Sequence, residues 1–244
     1  MNTPLPLLFL AALLLLLKMR YAPPHPHPPP PPSTSSNLQA SPLPLPPPPP
    51  PPRTWGSFYL SLFWPPGYCI ANPAGCLPNK MKEDFTIHGL WPQTTQQSSG
   101  PAYVDGLINQ DLRDRLDIYW SNLERDPNRA FWEHEWNKHG KISNSLLGEV
   151  DYFERAIQLY LATNVTTILA NYGILPSDNS PTTLASVSQA FGSTPIVVCR
   201  KGRNSNTMYI TEIRLCYDAS AINLISCTQA QLSCGTQPIY LKTI

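Results

Sequence analysis

The chain reads as an α+β fold in which an antiparallel central β-sheet carries flanking helices. Helix and strand patterns are mixed along it without a regular strand–helix–strand alternation. Two stretches carry this reading. Residues 207–217 alternate, setting Tyr209, Thr211, Ile213 and Leu215 against Met208, Ile210, Glu212 and Arg214, which is the two-residue period of a strand. Residues 150–163 place Val150, Phe153, Ile157 and Tyr160 at helical spacing.

The other elements follow in order. Residues 57–64 are dense in aromatics and closed by Pro65-Pro66, which predicts a first strand. Residues 85–87 form a short strand leading into His88. Residues 111–123 and 128–139 read as helices, and 182–191 as a further one. Residues 195–199 and 238–241 complete the strands.

Composition divides the chain of 244 residues into three parts. Residues 1–22 contain an apolar run, 5–17, broken only by Pro6. That is the length of a secretory leader's core and short for a bilayer span. No basic residue precedes the run, and Lys18 and Arg20 follow it, so a signal anchor is the alternative. Of the 30 prolines, 17 fall within residues 23–52. This part is expected to be a polyproline II spacer with a polar break at 33–41, or a ligand for a proline-recognising partner. Residues 53–244 keep ordinary apolar content and are long enough for one sizeable core.

Charge excludes one class of function. The whole chain carries a net +1, and from residue 53 onward there are 15 Lys and Arg against 16 Asp and Glu. Nucleic-acid binding by bulk positive charge is therefore ruled out, and a local site with stacking aromatics is needed instead. Six cysteines without Cys-x-x-Cys point to an oxidising compartment, and Asn164-Val-Thr166 is a glycosylation sequon that suits it.

The histidines mark the chemistry. Outside the proline tract, which holds His25 and His27, there are three, and all fall in two short motifs. One is Phe85-Thr-Ile-His88-Gly-Leu-Trp91-Pro92. The other is Phe131-Trp-Glu133-His134-Glu135-Trp136-Asn-Lys138-His139-Gly140. Phosphodiester cleavage without a metal needs one group to take a proton from a hydroxyl and another to give one to the leaving oxygen. Imidazole suits both roles near neutral pH. On a helix, His134 and Lys138 are i,i+4 neighbours, as are Glu135 and His139, while Trp132 and Trp136 share a face that belongs in the core. A zinc reading of His134-Glu135 fails on spacing. The next histidine is five residues on, so the two imidazoles diverge by about 140°. No metal and no cofactor is expected. Trp91, three residues after His88, is a candidate surface for stacking a base.

These two motifs resemble the active-site signatures of the RNase T2 family, in its plant S-like and S-RNase branch, and the resemblance extends over roughly residues 55–244. It implies an RNase T2-like fold and an endoribonuclease that cuts single-stranded RNA through a 2′,3′-cyclic phosphate to 3′-phosphate ends. It implies roles as well. His88 matches the general acid and His139 the general base, with the two labels open to exchange because the second step runs in reverse. His134 matches a phosphate-binding histidine, and Glu135 and Lys138 match residues that stabilise charge on the phosphorane. Trp91 and Phe131 match residues of the two base sites. The family layout implies the disulfides Cys69–Cys76, Cys199–Cys234 and Cys216–Cys227.

The chain departs from the family in four places. Lys141 stands where a cysteine is common, and that cysteine's usual partner is missing too. Phe63 replaces a glutamine, and Gln93 an acidic residue. The expected partner is single-stranded RNA, with no DNA and no stable membrane partner, bound by a monomer in the secretory pathway, extracellular or vacuolar. A self-incompatibility cytotoxin of the S-RNase type and a non-catalytic storage or defence protein are the alternatives.

Overall fold

The computed structural model describes residues 55–96, 100–203, 205–228 and 233–244. The expected leader and proline-rich spacer lie outside these residues. The core of the sheet runs β2–β1–β4–β3, with every neighbour antiparallel. β1 (Ser57–Phe63) lies inside the sheet, between β2 (Thr86–Pro92) and β4 (Met208–Asp218). It is covered on both faces, so six of its seven residues are buried and no clean alternation shows. β3 (Ile196–Lys201) pairs with the other side of β4. Short β5 (Leu224–Ile225) pairs antiparallel with β4, and β6 (Ile239–Tyr240) pairs parallel with it.

The expected strand 85–87 is in fact longer and passes through His88. The register explains how. Ser61 pairs with Gly89 and Leu62 with Ile87, so His88 is one extra residue in β2, a β-bulge. A regular strand would send His88 and Trp91 to opposite faces. The bulge instead brings their rings within 4.7 Å, edge to face. Its backbone is satisfied from elsewhere, because the indole Nε1 of Trp120 donates to the His88 carbonyl at 2.8 Å.

Pro65-Pro66 does more than close β1. The pair occupies the first turn of α1 (Pro65–Ala71), where missing amide donors cost nothing. Gly67 in that helix faces the Ile210 carbonyl so closely that any Cβ would collide with it. α2 (Gln110–Tyr119) starts at Asn109, whose side chain accepts from the Leu112 amide, and it stops short of the expected residue 123. α3 (Asn128–Lys138) and α4 (Glu149–Thr163) agree closely with the periodicity. α4 ends at Asn164, whose φ of +24° turns the chain and whose side chain caps the next helix, α5 (Val165–Asn171). α5 escapes sequence reading because its Val-Thr-Thr-Ile start is β-branched. α6 (Leu184–Phe191) is capped by Thr183.

The core is unusually rich in indoles. Trp64, Trp120, Trp132 and Trp136 are fully buried, so the expected inward face of α3 is observed. Each indole N–H reaches a backbone carbonyl, respectively of Lys242, His88, Trp120 and Pro101. An unpaired buried N–H would cost about 1–3 kcal/mol each, so these bonds fix where the rings sit. The three disulfides pair Cys69 with Cys76, Cys199 with Cys234 and Cys216 with Cys227. No cysteine among the described residues is free.

At Lys141 the backbone is held by packing. Lys141 lies in a 3₁₀ turn, Gly140–Ser143, closed by a bond from Ser143 Oγ to the Gly140 carbonyl at 2.7 Å. A Cβ on Gly140 would stand 2.5 Å from the Trp136 ring and 2.9 Å from Tyr152, so the turn rests directly on the core. Among the described residues, no helix is long and apolar enough to cross a membrane.

Candidate active site

β2 and α3 each contribute one motif, and together they line one open cleft of about 560 Å³. All seven candidate residues border it: His88 and Trp91 from β2, Phe131, His134, Glu135 and Lys138 from α3, and His139 just beyond. Glu135 is buried on the inner side of α3, while His134 and Lys138, four residues apart, are exposed on the outer side. His139 is the C-cap of α3, its amide donating to the Glu135 carbonyl at 3.0 Å. Leaving the helix there turns its imidazole towards β2. Asn164 lies outside the cleft, exposed at the junction of α4 and α5.

Trp91 occupies the centre. Its ring lies 4.7 Å from His88 and 5.0 Å from His139, so both histidines pack against it. Its Nε1 donates to Glu135 Oε2 at 2.7 Å, and the guanidinium of Arg214 sits 4.9 Å over the ring. Trp91 is therefore tied down on several sides, more firmly than a freely exposed stacking surface. Gly89 makes this possible, since any Cβ there would collide with both the Trp91 indole nitrogen and the Glu135 carboxylate.

The electrostatics separate the groups by role. Burial pushes the His139 imidazole down, and the nearby Lys138, His88, His134 and Arg214 push it further, to about 3. This favours the neutral imidazole, the form able to accept a proton, at neutral pH. His134 is lowered by the same causes, burial first and then Lys138 and His88. Glu135 is buried to 2 % exposure, and burial raises its pKa against the pull of His88, Trp91 and Lys138. Its Oε1 lies 3.9 Å from His88 Nε2.

The chain belongs to the Ribonuclease T2 family. The family's sequence profile matches residues 55–227, which include both motifs. The chain is 34% identical over 190 residues to Ribonuclease DdI of Dictyostelium discoideum, covering 72% of this chain and 81% of that protein. It is 35% identical over 182 residues to Ribonuclease 3 of Arabidopsis thaliana, covering 70% and 82%. Its fold is similar to RNase NT in complex with 5′-AMP, with a TM-score of 0.67, 28% identity, and coverage of 76% and 98%. It is an RNA-cleaving enzyme with the expected α+β architecture.

Three contributors to this T2 ribonuclease cleft escaped the sequence reading. Phe63, noted only as a departure, stacks on His88 with ring centroids 3.9 Å apart and planes 17° from parallel. On the same imidazole, the expected site residue Phe131 lies 6.0 Å away at 24°. Glu212 and Arg214 come from β4. Their only sequence signal was a carboxylate on the strand face that also carries Met208 and Ile210. Among the described residues, no group of three or more His, Cys, Asp or Glu side chains is placed to hold a metal ion.

Proposed function

We propose that the cleft cuts single-stranded RNA by proton transfer between His139 and His88. His139 takes the proton of a ribose 2′-hydroxyl, and the oxygen attacks the adjacent phosphorus. His88 gives a proton to the departing 5′-oxygen, leaving a 2′,3′-cyclic phosphate. Water then adds by the reverse exchange and opens the ring to a 3′-phosphate. Lys138 and His134 face the incoming phosphate from the outer side of α3. Glu135 in its protonated form can donate to a phosphorane oxygen, and the raised pKa favours that form. Phe131 and the remaining open surface of Trp91 provide stacking for bases. The observation that carries the reading is the pair of imidazoles that line one cleft and pack against one indole.

The complete proton-transfer set argues against a purely storage role. The three disulfides support an oxidising destination, secreted or vacuolar, reached through the secretory pathway.

The test is dinucleotide cleavage against pH in excess EDTA. A base with an ordinary imidazole pKa of about 6.5 would be only about 1% deprotonated at pH 4.5. His139 has its pKa depressed to about 3, so it loses its proton-accepting form only as pH falls towards that value. The acidic limb of kcat/KM should therefore lie well below pH 5, with activity intact in EDTA. A tenfold fall per pH unit from pH 6 downward, or activity lost to EDTA and restored by zinc, would overturn the reading.

A further inference from the structure

The proposed chemistry uses His88 but leaves open what fixes its ring. His88 Nδ1 is buried and has no hydrogen-bond partner within ordinary distance. It faces one carboxylate oxygen, Glu212 Oε2, at 3.6 Å. Glu212 is itself 6 % exposed, and its other oxygen is fully engaged. Ser61 Oγ and Arg214 Nε, at 2.6 Å for the latter, both donate to Oε1. Strand register produces this arrangement. β1 sets Ser61 opposite Arg214 and Phe63 opposite Glu212, while the bulge in β2 puts His88 beside the Ser61–Leu62 step. Phe63 then fixes the plane of the imidazole by stacking, and Glu212 can fix its rotation within that plane.

Resting on the reading of His88 as a proton-transfer residue, we propose that Glu212 is its positioning residue. The carboxylate holds the imidazole proton on Nδ1, so that Nε2 is the nitrogen presented to the phosphodiester. Glu212 is ionised for this task. Burial would raise its pKa, but His88 and Arg214 outweigh burial and hold it down at about 2. The other charged or titratable groups around His88 are Glu135, 3.9 Å from Nε2, and His134 and His139, whose imidazoles feel its charge. Glu135 and the two histidines belong to the cleft side, so Glu212 is the carboxylate on the Nδ1 side. A neutral His88 with its proton on Nδ1 accepts at Nε2. The charged form donates from Nε2 to the leaving oxygen. Both halves of the reaction then use the same nitrogen without a ring flip.

The experiment combines one spectrum with two variants. In the unsubstituted protein, ¹⁵N chemical shifts of neutral His88 should show the Nδ1–H tautomer. Glu212→Gln keeps the side-chain volume and an acceptor for Ser61 and Arg214, but it turns an N–H₂ towards Nδ1. Its kcat should fall on the order of 10–100-fold with KM little changed, as when a functional histidine loses its orienting partner. The same ¹⁵N spectrum of this variant should show the Nδ1–H form of His88 depleted, because the acceptor for that proton has gone. A purely structural role would leave the tautomer unmoved. An Nε2–H tautomer in the unsubstituted protein overturns the inference, even if Glu212→Gln fails to fold. So does a Glu212→Gln enzyme that matches the parent in rate and in His88 tautomer while His88→Ala is inactive. A fully active His88→Ala enzyme would instead remove the functional reading, and this inference with it.

Discussion

Replacing His139 with alanine should lower kcat by on the order of 10²–10⁴-fold and leave the protein folded, because it removes the proposed base and little else. The residue caps α3 through its backbone amide, which alanine retains. The imidazole carries a penalty for charging in place, since its pKa is pushed down to about 3. Its loss therefore removes no favourable ionic contact. The sign can be checked on stability as well. The unfolded chain protonates this histidine near pH 6.5, whereas the folded one does so only near 3. His139 thus makes the parent protein less stable as pH falls through that window, and His139→Ala should be less acid-sensitive there. Dinucleotide-cleavage kinetics and melting curves at pH 7 and pH 4.5 measure both effects. A folded, fully active His139→Ala protein would refute its assignment as the base.

Trp91→Ala should damage rate, binding and stability together. As a stacking surface alone, Trp91 would be worth about 1–3 kcal/mol of binding and would show up in KM. Its position implies more. Truncation leaves the buried Glu135 oxygen without its indole donor, a loss of about 1–3 kcal/mol. It also removes the ring beneath Arg214, worth about 0.5–1 kcal/mol. Above all it removes the ring against which both His88 and His139 pack, and a misplacement of about 1 Å at a reacting group can cost 10²-fold. We therefore expect kcat to fall at least about tenfold, KM to rise, and the melting temperature to drop by several degrees. Trp91→Phe should recover part of the rate, since it restores a ring but not the N–H. An increase in KM with kcat and melting temperature unchanged would show that Trp91 is only a stacking platform.

Much of the site was legible because its residues are close in sequence. The i,i+4 relation of His134 and Lys138, and the inward face of Trp132 and Trp136, follow from helical geometry alone and are observed. The long strand 207–217 and the helix 150–163 were readable from their periods to within one or two residues. What escaped depends on register between distant strands. A bulge at His88 leaves no mark in the sequence beyond the adjacent Gly89, yet it puts His88 and Trp91 on the same side. Glu212 reaches His88 only because β1 and β4 pair with Phe63 opposite Glu212. Pro65-Pro66 was read as a stop and proved to be a helix start, since proline disrupts a strand but suits a first helical turn.

The central claim is that two histidines cut RNA through its own 2′-hydroxyl. The most direct measurement follows the products of a dinucleoside monophosphate by ³¹P NMR, in EDTA, with the purified protein. The account predicts that the 2′,3′-cyclic phosphate signal appears first and converts to a 3′-phosphate, and that the 2′-deoxy analogue is untouched. Formation of a 5′-phosphate product, or cleavage of the 2′-deoxy analogue, would contradict it.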